Sequence, residues 1–222
     1  MQKFDTPAPV SAVVNIPAGR IQVIAADRSD TTVEVRPADA AKGRDVKAAE
    51  RVAVAYADGV LRIEAPKTKN QYFGPSGAVE VTIQVPADSR VEARAEAAEF
   101  RGVGRLGDID VEGATGAVKV DEAASVRLTA FEGVSVGRLG GPARISTQKG
   151  DIRITEAVSG AVVLRTRMGD VTIGAAPGVS ASLDAGTSYG RIHNALANTD
   201  GADAVLTISA TTDQGDITAR GL

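Results

Sequence analysis

Few residues in this chain could do chemistry. There is one histidine, His193, in the stretch Tyr189-Gly190-Arg191-Ile192-His193-Asn194, and there is no cysteine and no tryptophan. A cysteine nucleophile, a thiolate-bound zinc or iron–sulfur centre and a disulfide framework are therefore excluded. A Ser–His–acid triad would have to be built on His193. The alternation of the segment turns Ile192 inward and His193 toward solvent, so His193 reads as a surface residue rather than a general base. Carboxylates recur more regularly. Asp108, Asp151, Asp170 and Asp216 each follow a glycine at an equivalent place. On adjacent turns of chain they would stack about 4.8 Å apart, where like charges call for a cation or for interleaved basic groups. Arg191 takes the equivalent place in another unit, Lys149 and Arg153 lie nearby, and aspartate at a turn commonly bonds its own backbone, so these four read as turn formers. The paired glycines of the calcium-binding Gly-Gly-x-Gly-x-Asp repeat are missing. Gly102-Val103-Gly104-Arg105-Leu106-Gly107 matches a dinucleotide fingerprint in letters only, because Asp108-Ile109-Asp110-Val111 after it is a strand pattern and not a helix. A sugar-cleaving β-helix would want aromatic platforms beside paired acids, and three Tyr and four Phe supply few. No catalytic residue, metal ligand or cofactor is assigned. The best candidate for a contact surface is the loop with Tyr72 and Phe73 ahead of Gly74-Pro75, with the competing reading that one of these rings folds back over an end of the core.

The elements around these residues are strands. Ile21-Gln22-Val23, Val33-Glu34-Val35, Val52 to Tyr56, Leu61-Arg62-Ile63 and Val79 to Val85 alternate aliphatic with polar or small residues, the period of a half-buried strand. Asp58-Gly59 between two of them predicts a hairpin with a type I′ turn, and Pro86 closes the last. Val91 to Ala97 has a helix-forming composition but strict alternation, so a strand is expected there; residues 40–50 would hold one helical turn or a loop. From about residue 100 the chain becomes self-similar. Gly150-Asp151-Ile152-Arg153-Ile154, Gly169-Asp170-Val171-Thr172-Ile173 and Gly215-Asp216-Ile217-Thr218 are variants of one unit, a glycine corner followed by aliphatic-x-aliphatic. Strands this short bury their aliphatics only by stacking on their equivalents, and two steps of 9 or 10 residues make a coil of roughly 19–20 residues. A β-solenoid is thus expected over a sandwich, whose connections would be antiparallel, and over a propeller, whose blades need longer repeats.

Composition bounds the function classes. Of 222 residues, 43% are hydrophobic, 24 are Gly and only 3% are aromatic, as a narrow aliphatic interior with glycine corners requires. With 25 Lys+Arg against 28 Asp+Glu and a net charge of −3, there is no basic excess for nucleic acid. No apolar run reaches the 18 or so residues of a membrane helix, so membrane insertion is not expected. Met1-Gln2-Lys3-Phe4-Asp5 lacks a basic n-region and an apolar h-region. With Met1 as the native start a cytoplasmic location is expected; a trimmed start would leave a surface location open. One all-β domain over 1–222 is expected, with N-terminal strands and hairpin over 1–90 and the repeat region over 91–222.

The strand Val79–Val85 with its exit Pro86-Ala87-Asp88-Ser89-Arg90-Val91, followed by recurrent Gly-Asp-[Ile/Val]-x-[Ile/Val/Ala] units at Gly107, Gly150, Gly169 and Gly215, resembles the bacterial putative-adhesin β-strand-repeat family of unknown function. The resemblance spans essentially the whole chain and implies a β-solenoid without an established enzymatic activity. Right-handed crossovers are the expected hand for such a coil. The functional expectation is a non-enzymatic structural or protein-interaction module whose partner is an unknown protein or a second copy of the chain. Unpaired strand edges at the solenoid ends motivate self-association unless Thr199–Ala204 and the N-terminal region cap them. A carbohydrate-binding or carbohydrate-active β-helix is the alternative.

Overall fold

Alternating Val, Ile, Leu and Ala side chains converge on one continuous interior, because the computed structural model, which describes residues 1–66 and 77–222, is a β-solenoid of flattened coils. Each coil contributes one strand to each of two walls. The first wall stacks β4 (Ala53–Ala57), β5 (Val60–Glu64), the first part of β2 (Ser11–Ala26), parts of the long β7 (Arg90–Ala130), β9 (Ala143–Lys149), β11 (Gly160–Met168), β15 (Leu206–Gln214) and β13 (Ala181–Tyr189). The second stacks β1 (Gln2–Asp5), β3 (Asp30–Pro37), β6 (Val79–Pro86), the second part of β2, other parts of β7, β8 (Val134–Leu139), β10 (Ile152–Ala157), β12 (Val171–Ala175), β16 (Ile217–Gly221) and β14 (Ile192–Ala195). β7 carries more than one coil: Arg90 to Val103 pairs with β2, Val118 to Ala123 with β8, and Val126 to Ala130 with β9.

Pairing along the repeats is parallel and in register. Val118, Val134, Ile152 and Val171 occupy one row, in steps of 16, 18 and 19 residues. The coil is slightly shorter than its glycine spacings suggest. Row mates such as Val134, Ile152 and Val171 are almost fully buried, and each side chain of this kind contributes about 1.5–3 kcal/mol on leaving water. The parallel stack begins at Ser11, since β2 pairs with β7 through Ile24, and the N-terminal region is continuous with the repeats.

The hairpin at Asp58-Gly59 forms as its turn chemistry requires, with φ of 51° and 77° and Ala57 opposite Val60. Residues 40–50 differ from expectation. Instead of a single turn or loop there is a nine-residue helix, α1 (Gly43–Arg51), whose buried Asp45 accepts the Ala78 amide at 3.1 Å. Tertiary docking decides this segment: Ala48, Ala49 and Val52 pack on the core.

The last three coils do not stack in chain order. From β11 and β12 the chain passes to β13 and β14 at the far end, then returns to lay β15 between β11 and β13, and β16 between β12 and β14. Gly160, Leu206 and Ala181 therefore share a row. The C-terminal coil is interior and the coil before it is terminal.

Candidate interaction surfaces

The corner glycines belong to a longer motif, Thr-x-x-Gly-Asp, at Thr147 to Asp151, Thr166 to Asp170 and Thr212 to Asp216, with Thr187 to Arg191 as its variant. Gly150, Gly169 and Gly215 take φ of 121°, 145° and 148°. A Cβ on Gly215 would sit 2.1 Å from the Gly169 carbonyl oxygen, so the coils approach backbone to backbone and only glycine fits. Thr212 Oγ1 donates to that same carbonyl at 3.0 Å, Thr166 Oγ1 to the Gly150 carbonyl at 3.2 Å, and Thr187 Oγ1 to the Gly215 carbonyl at 3.0 Å. The aspartates run a second ladder. Asp151 Oδ1 accepts the Asp170 amide at 2.9 Å, Asp170 Oδ1 the Asp216 amide at 2.8 Å, and Asp216 Oδ1 the Arg191 amide at 2.8 Å. These carboxylates thus bond the next coil's backbone, and not their own turn as expected. Asp216 ends the ladder under the Arg191 guanidinium at 3.0 Å, and the Arg191 amide and then that guanidinium hold its carboxyl below the ordinary carboxylate range. Asp108 departs from the others, accepting the Ser125 hydroxyl across the coil. Among the described residues no three metal-ligating side chains converge.

The other residues singled out from the sequence fall as follows. His193 is exposed on β14, as expected, but Ile192 is also exposed, at 46%. It holds the inward position of its row opposite Ile217, and it stays open because β14 is the last strand of its wall. Gly102 to Gly107 lies within β7 against the preceding coil: a Cβ on Gly104 would meet the Ala25 carbonyl oxygen at 2.2 Å, and one on Gly107 the Asp88 carbonyl oxygen at 2.5 Å. Those glycines serve coil stacking, and the Gly104 amide donates to Asp121. Tyr72 and Phe73 lie outside the described residues.

Outer-wall charges form ladders of their own. Arg20 reaches Glu80 at 3.6 Å and Glu99 at 3.1 Å, and Arg138 lies between Glu122 and Glu156, so each arginine meets acids from the strands on either side. A shallow groove of about 400 Å³ runs over Arg90, Asp108, Asp110, Ser125, Arg127 and Arg144. Its acids and bases are mixed and its lining holds no aromatic ring.

The two ends of the stack differ. At the N-terminal end, β1 and β4 close the walls with antiparallel partners, their rings Phe4 and Tyr56 meet at 5.5 Å between centroids, and α1 links β3 of one wall to β4 of the other. At the other end, β13 pairs only with β15 and β14 only with β16 among the described residues. The segment Thr199–Ala204, with the short 3₁₀ turn η1 (Gly201–Asp203), covers just the start of this edge: Ser180 Oγ accepts the Thr199 and Asp200 amides, and the Ala197 carbonyl accepts the Ala181 amide.

Stacked parallel coils, glycine corners and an aliphatic interior define an all-β solenoid. The chain belongs to the Toastrack DUF4097 family, whose profile matches residues 13–221. No curated protein matches it. A crystal structure of a putative adhesin from Bacteroides fragilis shares the fold, at 14% identity with a TM-score of 0.55, over 100% of this chain and 95% of that one. More distant structures are a putative adhesin and a putative lipid binding protein, both from Parabacteroides distasonis. They are 12% and 11% identical with TM-scores of 0.41 and 0.45, each over 98% of this chain and 95% of theirs. Among the described residues no helix is long and apolar enough to cross a membrane.

Proposed function

We propose that this protein is a non-enzymatic interaction module, a rigid solenoid that presents its terminal coil and outer walls to a protein partner. The observation that carries this reading is where the polar side chains go. Corner threonines and aspartates such as Thr212 and Asp170 are used in coil-to-coil hydrogen bonds and wall arginines such as Arg20 and Arg138 in ion-pair ladders, while among the described residues most of a sheet edge is left available at one end. Free edges are a recurrent mode of protein recognition, because main-chain hydrogen bonds supply affinity without any special side chain. The name given to the Bacteroides fragilis structure supports the same class of function.

Cross-linking in the native cell followed by mass spectrometry tests the reading. Reproducible cross-links from the terminal coil or the outer walls to a protein, a second copy included, are expected. Cross-links no more abundant than those of an inert protein at the same concentration overturn it.

A further inference from the structure

The open edge of β13 is self-complementary, and we propose that it joins two copies of this chain through a two-fold antiparallel pairing of Leu183–Thr187 with itself, centred on Ala185. This inference rests on the interaction reading above and names its partner.

Alternate residues of a strand turn their backbone groups to opposite sides. The Ser180 carbonyl accepts the Leu206 amide of β15, whereas the Ala181 amide turns the other way, to the Ala197 carbonyl. Continuing the alternation, Leu183, Ala185 and Thr187 direct both N–H and C=O away from β15, into the space beyond the stack. The Ala181 amide is already engaged, and past Thr187 the alternation breaks, with the Tyr189 carbonyl accepting the Gly215 amide, so these three residues are the available edge.

Only one centre uses all three. With Ala185 opposite the second copy's Ala185, Leu183 faces the second copy's Thr187 and Thr187 its Leu183, making about six backbone hydrogen bonds at two per hydrogen-bonded pair. Centring on Asp184 or Gly186 leaves one of the three residues of each copy without its match. Electrostatics selects the same register. Asp184 is the one charged residue of β13. Centring on Asp184 would bring two carboxylates face to face, a destabilising cross-strand pair, whereas centring on Ala185 sets each Asp184 opposite a Gly186. Faces also match, since the half-buried Leu183, Ala185 and Thr187 of both copies continue the interior row and the exposed Asp184 and Gly186 continue the outer wall.

The strand carries neither of the common guards of a free edge, lysine or proline. The opposite end is not an equivalent acceptor. Its edge strands β1 and β4 are four and five residues long and are tied together by the Phe4–Tyr56 contact. Head-to-tail growth is thus disfavoured, and the pairing closes as a dimer.

Gly186 offers a clean test, because a Cβ there meets nothing within 4 Å and its φ is not positive. Gly186→Asp places a carboxylate opposite the second copy's Asp184, twice per dimer. The double variant Asp184→Lys/Gly186→Asp turns both contacts into opposite-charge pairs. In sedimentation over a concentration series, the native chain is expected to reach twice the chain mass, Gly186→Asp to weaken dimerisation tenfold or more, and the double variant to recover it. A native chain that stays monomeric at high concentration, a Gly186→Asp dimer as tight as the native one, or a double variant that does not recover, each overturns the pairing. A monomeric native chain that still cross-links to another protein in the cell removes the dimer and leaves the interaction reading standing. A monomer without cross-links removes both.

Discussion

The two ends of the solenoid solve the same problem in different ways. Every stack of strands terminates in a coil with one unpaired side, and at the N-terminal end the chain deals with this by reversing direction. β4 folds back on β5 through Asp58-Gly59, β1 pairs antiparallel with β3, and α1 spans from one wall to the other with Ala48, Ala49 and Val52 on the core. At the far end no strand reverses. Leu183, Ala185 and Leu196 are only partly buried against the core, and Ile192 is open to solvent in a row whose other members are sealed. A closed end needs sequence of its own, outside the repeat. The open end uses a variant of the repeat itself, with Arg191 in the aspartate's place.

The contrast is sharpest for core truncations. Leu61 on β5 is completely buried, and Leu61→Ala should lower unfolding stability by about 2–5 kcal/mol. Leu183→Ala, at the equivalent wall of the open end, should cost under about 1.5 kcal/mol when measured in the Gly186→Asp background, where no second copy covers it. Denaturant titration reads both, and equal losses would mean that the far end is as well sealed as the near one.

Glycine substitutions give the next largest difference. Gly19 has φ of 126°, and a Cβ there would lie 1.9 Å from the Val79 carbonyl oxygen, so Gly19→Ala should cost at least about 1–3 kcal/mol from backbone strain alone. Gly186→Ala should be neutral or slightly stabilising, since nothing opposes the new methyl group and the unfolded chain loses freedom. Thermal unfolding of the two variants checks the sign of each.

Removing a corner hydroxyl should have a smaller effect. Thr212→Val leaves the Gly169 carbonyl without its buried donor and should cost about 1 kcal/mol, and Thr187→Val in the terminal coil should cost less because water replaces the hydroxyl. Smallest is an acid-range effect at the closed end. The hydrogen bond from Arg28, followed by that from Lys3, lowers the Asp30 carboxyl from 3.8 to about 2. A carboxyl depressed in the folded state stabilises it above its ordinary titration range and loses that contribution as pH falls through about 2. NMR titration should place the Asp30 midpoint there, and Arg28→Ala should return it toward 3.8.

Much of the architecture was legible because it rests on local periodicity. Alternation identified the strands, including Val91 to Ala97 where composition pointed to a helix, and the glycine corners identified the coil. The corner motif itself is only half legible: glycine and aspartate explain themselves as turn residues, whereas the threonine three residues before each glycine, at Thr147, Thr166, Thr187 and Thr212, does not. Its meaning depends on which carbonyl lies across the gap, and that is a property of the stack. The aspartates misled for the same reason: a residue at a turn can bond its own turn or its neighbour's, and spacing alone does not say which. The exchange in order of the last two coils left no mark at all, because Ala181 to Tyr189 and Leu206 to Gln214 carry compatible patterns and either could lie against β11.

That exchange separates the order of synthesis from the order of assembly. From β7 to β12 each strand can add to the stack as it is synthesised, finding its neighbour already in place. Beyond them, β13 emerges before β15, the strand that finally lies between it and β11. β15 and β16 therefore enter between two layers, and β13 and β14 reach their final neighbours only once those later strands have been made.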